Sequence, residues 1–156
     1  MSEENTLNPV NVTKYQTAAD IANKALLHVL EQIKPGSKIG DICTAGDAFI
    51  NEAVSTVYAK GDIKKGIAFP TTVSNGSVIC HLSPLVSDPE YSWEIKDGES
   101  VRVELGVHVD GYAAQVATTK WVGVDKVSYY SFFSQPLSRG CDRSVSFNFI
   151  GKSANW

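Results

Sequence analysis

The chain has 156 residues, a net charge of −3 and a composition that is 43% hydrophobic and 20% charged. This length predicts a single domain with a substantial core, and the slightly acidic balance argues against a strongly electropositive nucleic-acid-binding surface. The sequence has 3 cysteines and no CxxC pair, which indicates reduced thiols and not a disulfide framework or a zinc site. It shows no secretory signal and no apolar run of membrane-spanning length, so we expect a protein of the cell interior.

The first part of the sequence predicts two helices after a disordered polar lead-in at residues 1–11. Thr13 to Gln16 fits a capping box, in which the two side chains cover backbone amides at the start of a helix. An amphipathic stripe follows with three- and four-residue spacing, and its members are Val12, Tyr15, Ala19, Ala22, Leu26, Val29 and Ile33. A second helix is predicted from about Ile39 to Tyr58, weakened at Gly46 by about 1 kcal/mol relative to alanine.

From Gly66 onward the spacing of apolar residues changes to that of strands. We predict strands at residues 67–73 and 77–81, separated by a turn at Asn75-Gly76, and then a hairpin over residues 100–122. Two helices followed by antiparallel strands predict an α+β domain with both helices on one face of the sheet.

The hairpin is the most regular feature of the sequence. Apolar residues at positions 101, 103, 105, 107 and 109 alternate with polar residues or glycine, and Asp110-Gly111 favours a two-residue turn. Such a turn sets Gly106 opposite Gln115 and makes Glu104 and Gln115 diagonal neighbours on one face, about 7–8 Å apart at the backbone. We expect the glycine at position 106 to leave a space beneath both side chains.

Glu104 and Gln115 would suit a divalent cation if both were carboxylates, because such ions need anionic oxygen ligands at roughly 2.0–2.6 Å. Glu104 carries its carboxylate one methylene further from the backbone than Asp would. Gln115 carries a neutral amide, which does not offset the cost of dehydrating an ion. The residues alone leave two interpretations open. One is a polar strand face without a site, and the other is a site from which the metal chemistry has been removed.

Three motifs give the sequence a specific resemblance: GIAFPT at 66–71, CHLSPL at 80–85 and LGVHVDGY at 105–112. They resemble the methionine-aminopeptidase-like pita-bread superfamily and, more narrowly, its proliferation-associated (ErbB-receptor-binding) and curved-DNA-binding proteins. The resemblance implies that residues 12–122 form the N-terminal half of a pita-bread fold, with two helices packed on a curved antiparallel sheet.

The resemblance also identifies candidate site residues. In the active peptidases, aspartates at the positions of Glu104 and Gln115 hold a dinuclear metal centre, and a histidine at the position of His81 contacts the substrate. Because both acidic positions differ here, we predict a pseudo-peptidase with no catalytic residue, no metal and no cofactor, in which His81, Glu104 and Gln115 line a vestigial pocket. A cysteine nucleophile at Cys80 is disfavoured, because neighbouring strand residues point to opposite faces, and we expect a small buried thiol.

The function implied by the resemblance is that of a non-enzymatic factor that binds ribosomes, structured RNA or curved DNA. Such a factor would act in ribosome biogenesis, translation or growth control. We expect it in the cytoplasm and the nucleus or nucleolus. Protein partners also fit this interpretation, and no association with a membrane is expected. Lys60, Lys64 and Lys65 are either phosphate contacts or an ordinary solvated face. The alternative is a metal-dependent hydrolase of the methionine-aminopeptidase type, which two candidate ligands, one of them neutral, support poorly.

Residues 127–156 show neither helical nor strand periodicity, and the resemblance stops near Trp121, which sets residues 123–156 apart from the domain. We interpret them as a divergent tail produced by a retained intron or a frameshift, because Val127-Ser128 could be encoded by GTAAGT, a common splice-donor sequence. A genuine divergent tail is the alternative, and a transcript that runs colinear through Ser128 in every isolate would establish it.

Overall fold

The computed structural model describes residues 8–123. These residues form two helices and then one antiparallel sheet of three strands that lie side by side in chain order, with a short 3₁₀ helix at Pro89–Ser92 between the first and second strands. The elements are α1 (Pro9–Gln32), α2 (Ile39–Thr56), β1 (Lys65–Asn75), β2 (Ser100–Val109) and β3 (Tyr112–Trp121). The predicted α+β architecture is confirmed. Within residues 8–123, no helix combines the length and the apolar composition needed to cross a membrane.

Helix α1 begins earlier than the sequence predicted. Pro9 occupies its first turn, and the side-chain oxygen of Asn8 accepts a hydrogen bond from the amide of Val10 at 3.0 Å. Thr13 lies one turn further on, where its hydroxyl donates to the carbonyl of Pro9 at 2.9 Å. The capping box predicted at Thr13 is therefore wrong, and the lead-in predicted at 1–11 is helical from residue 9. The rest of that lead-in, residues 1–7, lies outside the described residues.

Half of the buried residues of α1 are alanines. Ala18, Ala22 and Ala25 are fully buried, whereas Tyr15 and Leu26 of the predicted stripe are only half-buried. Small side chains allow the helix to approach β2 and β3 closely, and the larger ones then pack around the edges of that contact.

The core lies between the two helices and one face of the sheet. Helix α1 packs over β2 and β3, and α2 packs over β1. The helix-facing side of β2 carries five fully buried side chains, as the alternation predicted: Val101, Val103, Leu105, Val107 and Val109. Each contributes about 1.5–3 kcal/mol when it leaves water, so this strand is the centre of the domain.

Gly46 marks the closest contact of α2 with its neighbours. A β-carbon at this position would lie 2.7 Å from Oγ1 of Thr71 and 2.9 Å from Cγ2 of Val29. Both neighbours are β-branched and have little rotamer freedom. We therefore expect Gly46→Ala to lower the free energy of unfolding by about 1–3 kcal/mol, despite the better helix propensity of alanine.

Denaturant titration measures this effect. Asn51→Ala, at an exposed position of the same helix, is the matched control and should be neutral or stabilising by a few tenths of a kcal/mol. A stabilised Gly46→Ala protein would contradict the close packing of α2 on β1.

Lys120, near the end of β3, binds backbone carbonyls at the C-terminal end of α1. Its ammonium group donates to the carbonyls of Leu30 at 2.6 Å and Ile33 at 3.1 Å. Burial lowers the pKa of Lys120, and the charge of Lys34 adds to that effect. The two carbonyls oppose it, because they stabilise the charged form at the negative end of the helix dipole.

The strand predicted at residues 77–81 is wrong, since a turn and irregular chain occupy this segment. The guanidinium of Arg102, on β2, donates to the carbonyls of Gly76 at 3.3 Å, Val78 at 3.0 Å and Ile79 at 2.8 Å. These carbonyls therefore bind a side chain and not a neighbouring strand. At His81 a φ of +61° then turns the chain out of any extended path.

Candidate functional site

The hairpin of β2 and β3 has the predicted register. Gly106 lies opposite Gln115, and Glu104 lies opposite Ala117. The turn residues have the positive φ that the Asp-Gly pair predicted, 56° at Asp110 and 78° at Gly111. The alternation and the turn together determine which side chains share a face.

Glu104, Gln115 and His81 line one pocket of about 180 Å³. The remaining lining residues are apolar: Phe69, Leu105, Val116 and Ala117. Phe69 was not predicted, although its place in the GIAFPT motif beside Pro70 was a usable signal, because proline within a strand often marks a bulge. The pairing of β1 with β2 is indeed irregular on both sides of Phe69.

An ion-pair contact joins the two titratable groups of the pocket. Nδ1 of His81 lies 2.8 Å from Oε2 of Glu104, with side-chain exposures of 62% and 26%. The contact is close but not aligned as a hydrogen bond, so the buried Oε2 has no hydrogen-bond donor within residues 8–123. The imidazole and the ring of Phe69 also pack in a T-shaped arrangement, with 5.4 Å between ring centres and an angle of 64°. When the imidazole is protonated, it places a positive charge beside this carboxylate.

The space expected beneath Glu104 and Gln115 is filled. A β-carbon at Gly106 would lie 2.9 Å from Cγ of Gln115 and 3.0 Å from Cβ of Phe69. The glycine therefore permits Phe69 to pack against the hairpin, and the prediction of an open gap at this position is wrong.

The three candidate phosphate-binding lysines do not form one group. Lys60 and Lys64 are exposed in the segment between α2 and β1. The ammonium of Lys65 instead donates to the carbonyls of Val57 and Tyr58 at the end of α2. Lys65 is therefore a helix cap in this structure, and Lys60 and Lys64 remain as candidate contacts.

The two thiols of the described residues lie in very different surroundings. Cys43 is buried in α2, and burial, with a smaller effect from the charge of Asp47, raises its pKa to about 12. Cys80 is exposed, which contradicts the expectation of a small buried thiol. The loss of the predicted strand explains the difference, because no sheet face covers this residue.

Two helices packed on an antiparallel sheet, with Glu104, Gln115 and His81 in a pocket on its hairpin, form part of a domain of the pita-bread class. The family model described as metallopeptidase family M24 matches residues 12–135. The chain therefore belongs to metallopeptidase family M24. The match continues past Trp121, where the sequence resemblance was expected to stop. Residues 124–156 lie outside the described part of the chain, and the origin proposed for residues 123–156 stays a prediction.

Curated relatives confirm the narrower resemblance. The chain is 46% identical over 121 residues to the curved DNA-binding protein of Schizosaccharomyces pombe, a match that covers 78% of this chain and 32% of that protein. It is 44% identical over 113 residues to the ErbB-3 binding protein 1 of Solanum tuberosum, covering 71% and 28%. It is 32% identical over 157 residues to the probable metalloprotease ARX1 of Yarrowia lipolytica, covering 99% and 32%. The chain thus spans about a third of the length of these relatives.

Solved structures confirm the fold. A thermophilic Arx1 is 39% identical, with a TM-score of 0.74, and the match covers 77% of this chain and 32% of that one. The prolidase of Pyrococcus furiosus is 19% identical, with a TM-score of 0.58, and the match covers 78% and 33%. At that identity the prolidase supports the fold alone.

The metal centre implied by the family does not fit the side chains of this pocket. Among the residues that the structure describes, Glu104 is the one carboxylate that lines it, and Oε2 of this residue faces an imidazole. Gln115 is neutral and exposed. Among residues 8–123, no group of three or more His, Cys, Asp or Glu side chains is placed to hold a metal ion. This donor set supplies too little negative charge to dehydrate paired divalent cations.

Proposed function

We propose that this protein is a binding factor without peptidase activity. The observation that carries the proposal is the chemistry of the pocket, where Glu104 faces His81 at 2.8 Å and Gln115 adds no charge. Metal-dependent peptidases use their ions to generate hydroxide at neutral pH and to polarise the scissile carbonyl, and protein groups alone rarely replace both roles. A fold whose pocket lacks the negative charge needed to hold metal ions still offers a shaped pocket and a surface for binding.

The proposed partner is the ribosome or another structured RNA, and the proposed place of action is the cytoplasm and the nucleus. Support comes from the close relative named a curved DNA-binding protein, because curved DNA and folded RNA both present a dense phosphate backbone. Lys60 and Lys64 are the exposed candidate contacts. Because the whole chain has a net charge of −3, attraction to phosphate has to come from these individual lysines and not from the overall charge of the protein.

A metal and activity measurement tests the absence of peptidase function. After incubation of the full chain with cobalt or manganese and removal of free metal, we expect well below one equivalent of bound metal. We also expect no release of N-terminal methionine from a peptide. A full dinuclear complement together with methionine release would favour the alternative, a metal-dependent hydrolase, which the name of the Yarrowia relative suggests.

Co-sedimentation with ribosomes at rising salt tests the partner. Phosphate contacts release counterions, so the bound fraction should fall steeply with salt, and Lys60→Gln combined with Lys64→Gln should reduce the logarithmic salt slope by about 2. Lys24→Gln, at an exposed position of α1, is the matched control. Absence of binding at low salt would contradict the proposal, and selective binding to a curved duplex would replace ribosomes with DNA as the partner.

A further inference from the structure

The backbone of His81 is held in an uncommon conformation beside the pocket. Its φ of +61° lies in the left-handed region, which residues with a β-carbon seldom adopt. A backbone strained in this way persists only where its surroundings determine it, and such residues cluster at functional sites. Because the side chain of His81 is 62% exposed, packing of the ring is not enough to impose this conformation.

Hydrogen bonds fix the chain on both sides of His81. Before it, the guanidinium of Arg102 donates to three carbonyls within residues 76–79. After it, the carbonyl of Leu82 accepts from the amide of Val73 at 2.9 Å, and the amide of Leu82 donates to Oγ of Ser74 at 3.2 Å. Arg102 and Ser74 lie opposite each other on β2 and β1, so both attachments are made to the rigid sheet.

We infer that Arg102 and Ser74 are positioning residues of the candidate site. Their hydrogen bonds hold residues 76–82 against the sheet, and this holds the imidazole of His81 beside Glu104 and against Phe69. Arginine suits this role, because its planar guanidinium carries several N–H donors and can bind several carbonyls at once. The inference rests on the proposed function in one respect. If the pocket binds a partner, residues 76–82 form a wall of that pocket that is already in place before binding.

Arg102→Met in the full chain tests the inference by nuclear magnetic resonance. In the unmodified protein, the edge-on contact with Phe69 should shift the ring-proton resonances of His81, and in the variant these should move toward their values in an unstructured peptide. The amide of Leu82 should exchange with solvent roughly ten- to a hundredfold faster, the range expected when charge-assisted hydrogen bonds are lost. Arg102→Lys should restore part of both signals, because its point charge reaches fewer carbonyls.

Lys120→Met is the matched control, because it also removes a cation from two backbone carbonyls, but at the end of α1. It should leave the His81 resonances and Leu82 exchange unchanged. Unaltered His81 resonances in folded Arg102→Met, or the same change in Lys120→Met, would overturn the inference.

If Arg102→Met does not fold, Ser74→Ala serves in its place, and unaltered Leu82 exchange there would overturn the inference equally. These measurements need no partner, metal or peptide. A failure of ribosome binding would therefore leave their outcome intact.

Discussion

Ile50→Ala is expected to lower the free energy of unfolding by about 2–5 kcal/mol. The side chain of Ile50 is fully buried in α2, which packs against β1 and α1. Truncation to alanine leaves a cavity, and the close-packed neighbours can fill it only in part. Denaturant titration gives the change directly, provided that the dependence of the unfolding free energy on denaturant is unaltered.

Leu27→Ala is the control for Ile50→Ala. Leu27 is a large apolar residue in α1, but its side chain is 61% exposed. Its truncation should change the free energy of unfolding by no more than about 0.5 kcal/mol. Equal losses in the two variants would show that the interface between the helices and the sheet is not the core of this domain.

Gln115→Glu is expected to raise the affinity of the pocket for manganese by roughly ten- to a hundredfold. The substitution keeps the length of the side chain and adds a negative charge on the face that carries Glu104. A unit charge about 4 Å from an ion is worth several kcal/mol at an effective dielectric of about 20, and a gain of about 1.4 kcal/mol is tenfold in affinity. Much of the gain is offset by repulsion between the two carboxylates in the metal-free protein.

Calorimetric titration of the full chain with manganese measures this gain. Gln115→Asn is the matched control, because it changes the length of the side chain without adding charge. The asparagine variant should bind no more tightly than the unmodified protein. An equal gain in both variants would mean that geometry, and not missing charge, keeps divalent ions out of the pocket.

The hairpin shows how far local rules reach in this protein. Strand periodicity is two, so the alternation from Val101 to Val109 determined which side chains enter the core. The Asp-Gly pair determined the turn, and the turn fixed the register that sets Gly106 opposite Gln115. These features depend on neighbours in sequence, and for that reason they were predictable.

Two features could not be predicted from local rules, and they share a different cause. Residues 77–81 have the composition of a strand, but Arg102, more than twenty residues further along the chain, binds their carbonyls. Gly46 looks like a weak point of α2, but the side chains of Thr71 and Val29 occupy the position that a β-carbon would need. In both cases a contact between distant segments outweighs local propensity.

The sequence by itself determined the α+β order, the hairpin register and the neutral amide at Gln115, because these follow from local periodicity and residue chemistry. Only the tertiary structure gave the 2.8 Å contact between His81 and Glu104, placed Phe69 in the pocket and assigned the ammonium of Lys65 to the end of α2. The physical reason is that a side chain's partner depends on where the backbone folds back on itself. Chain closure over tens of residues brings such groups together, and no pattern of neighbouring residues encodes it.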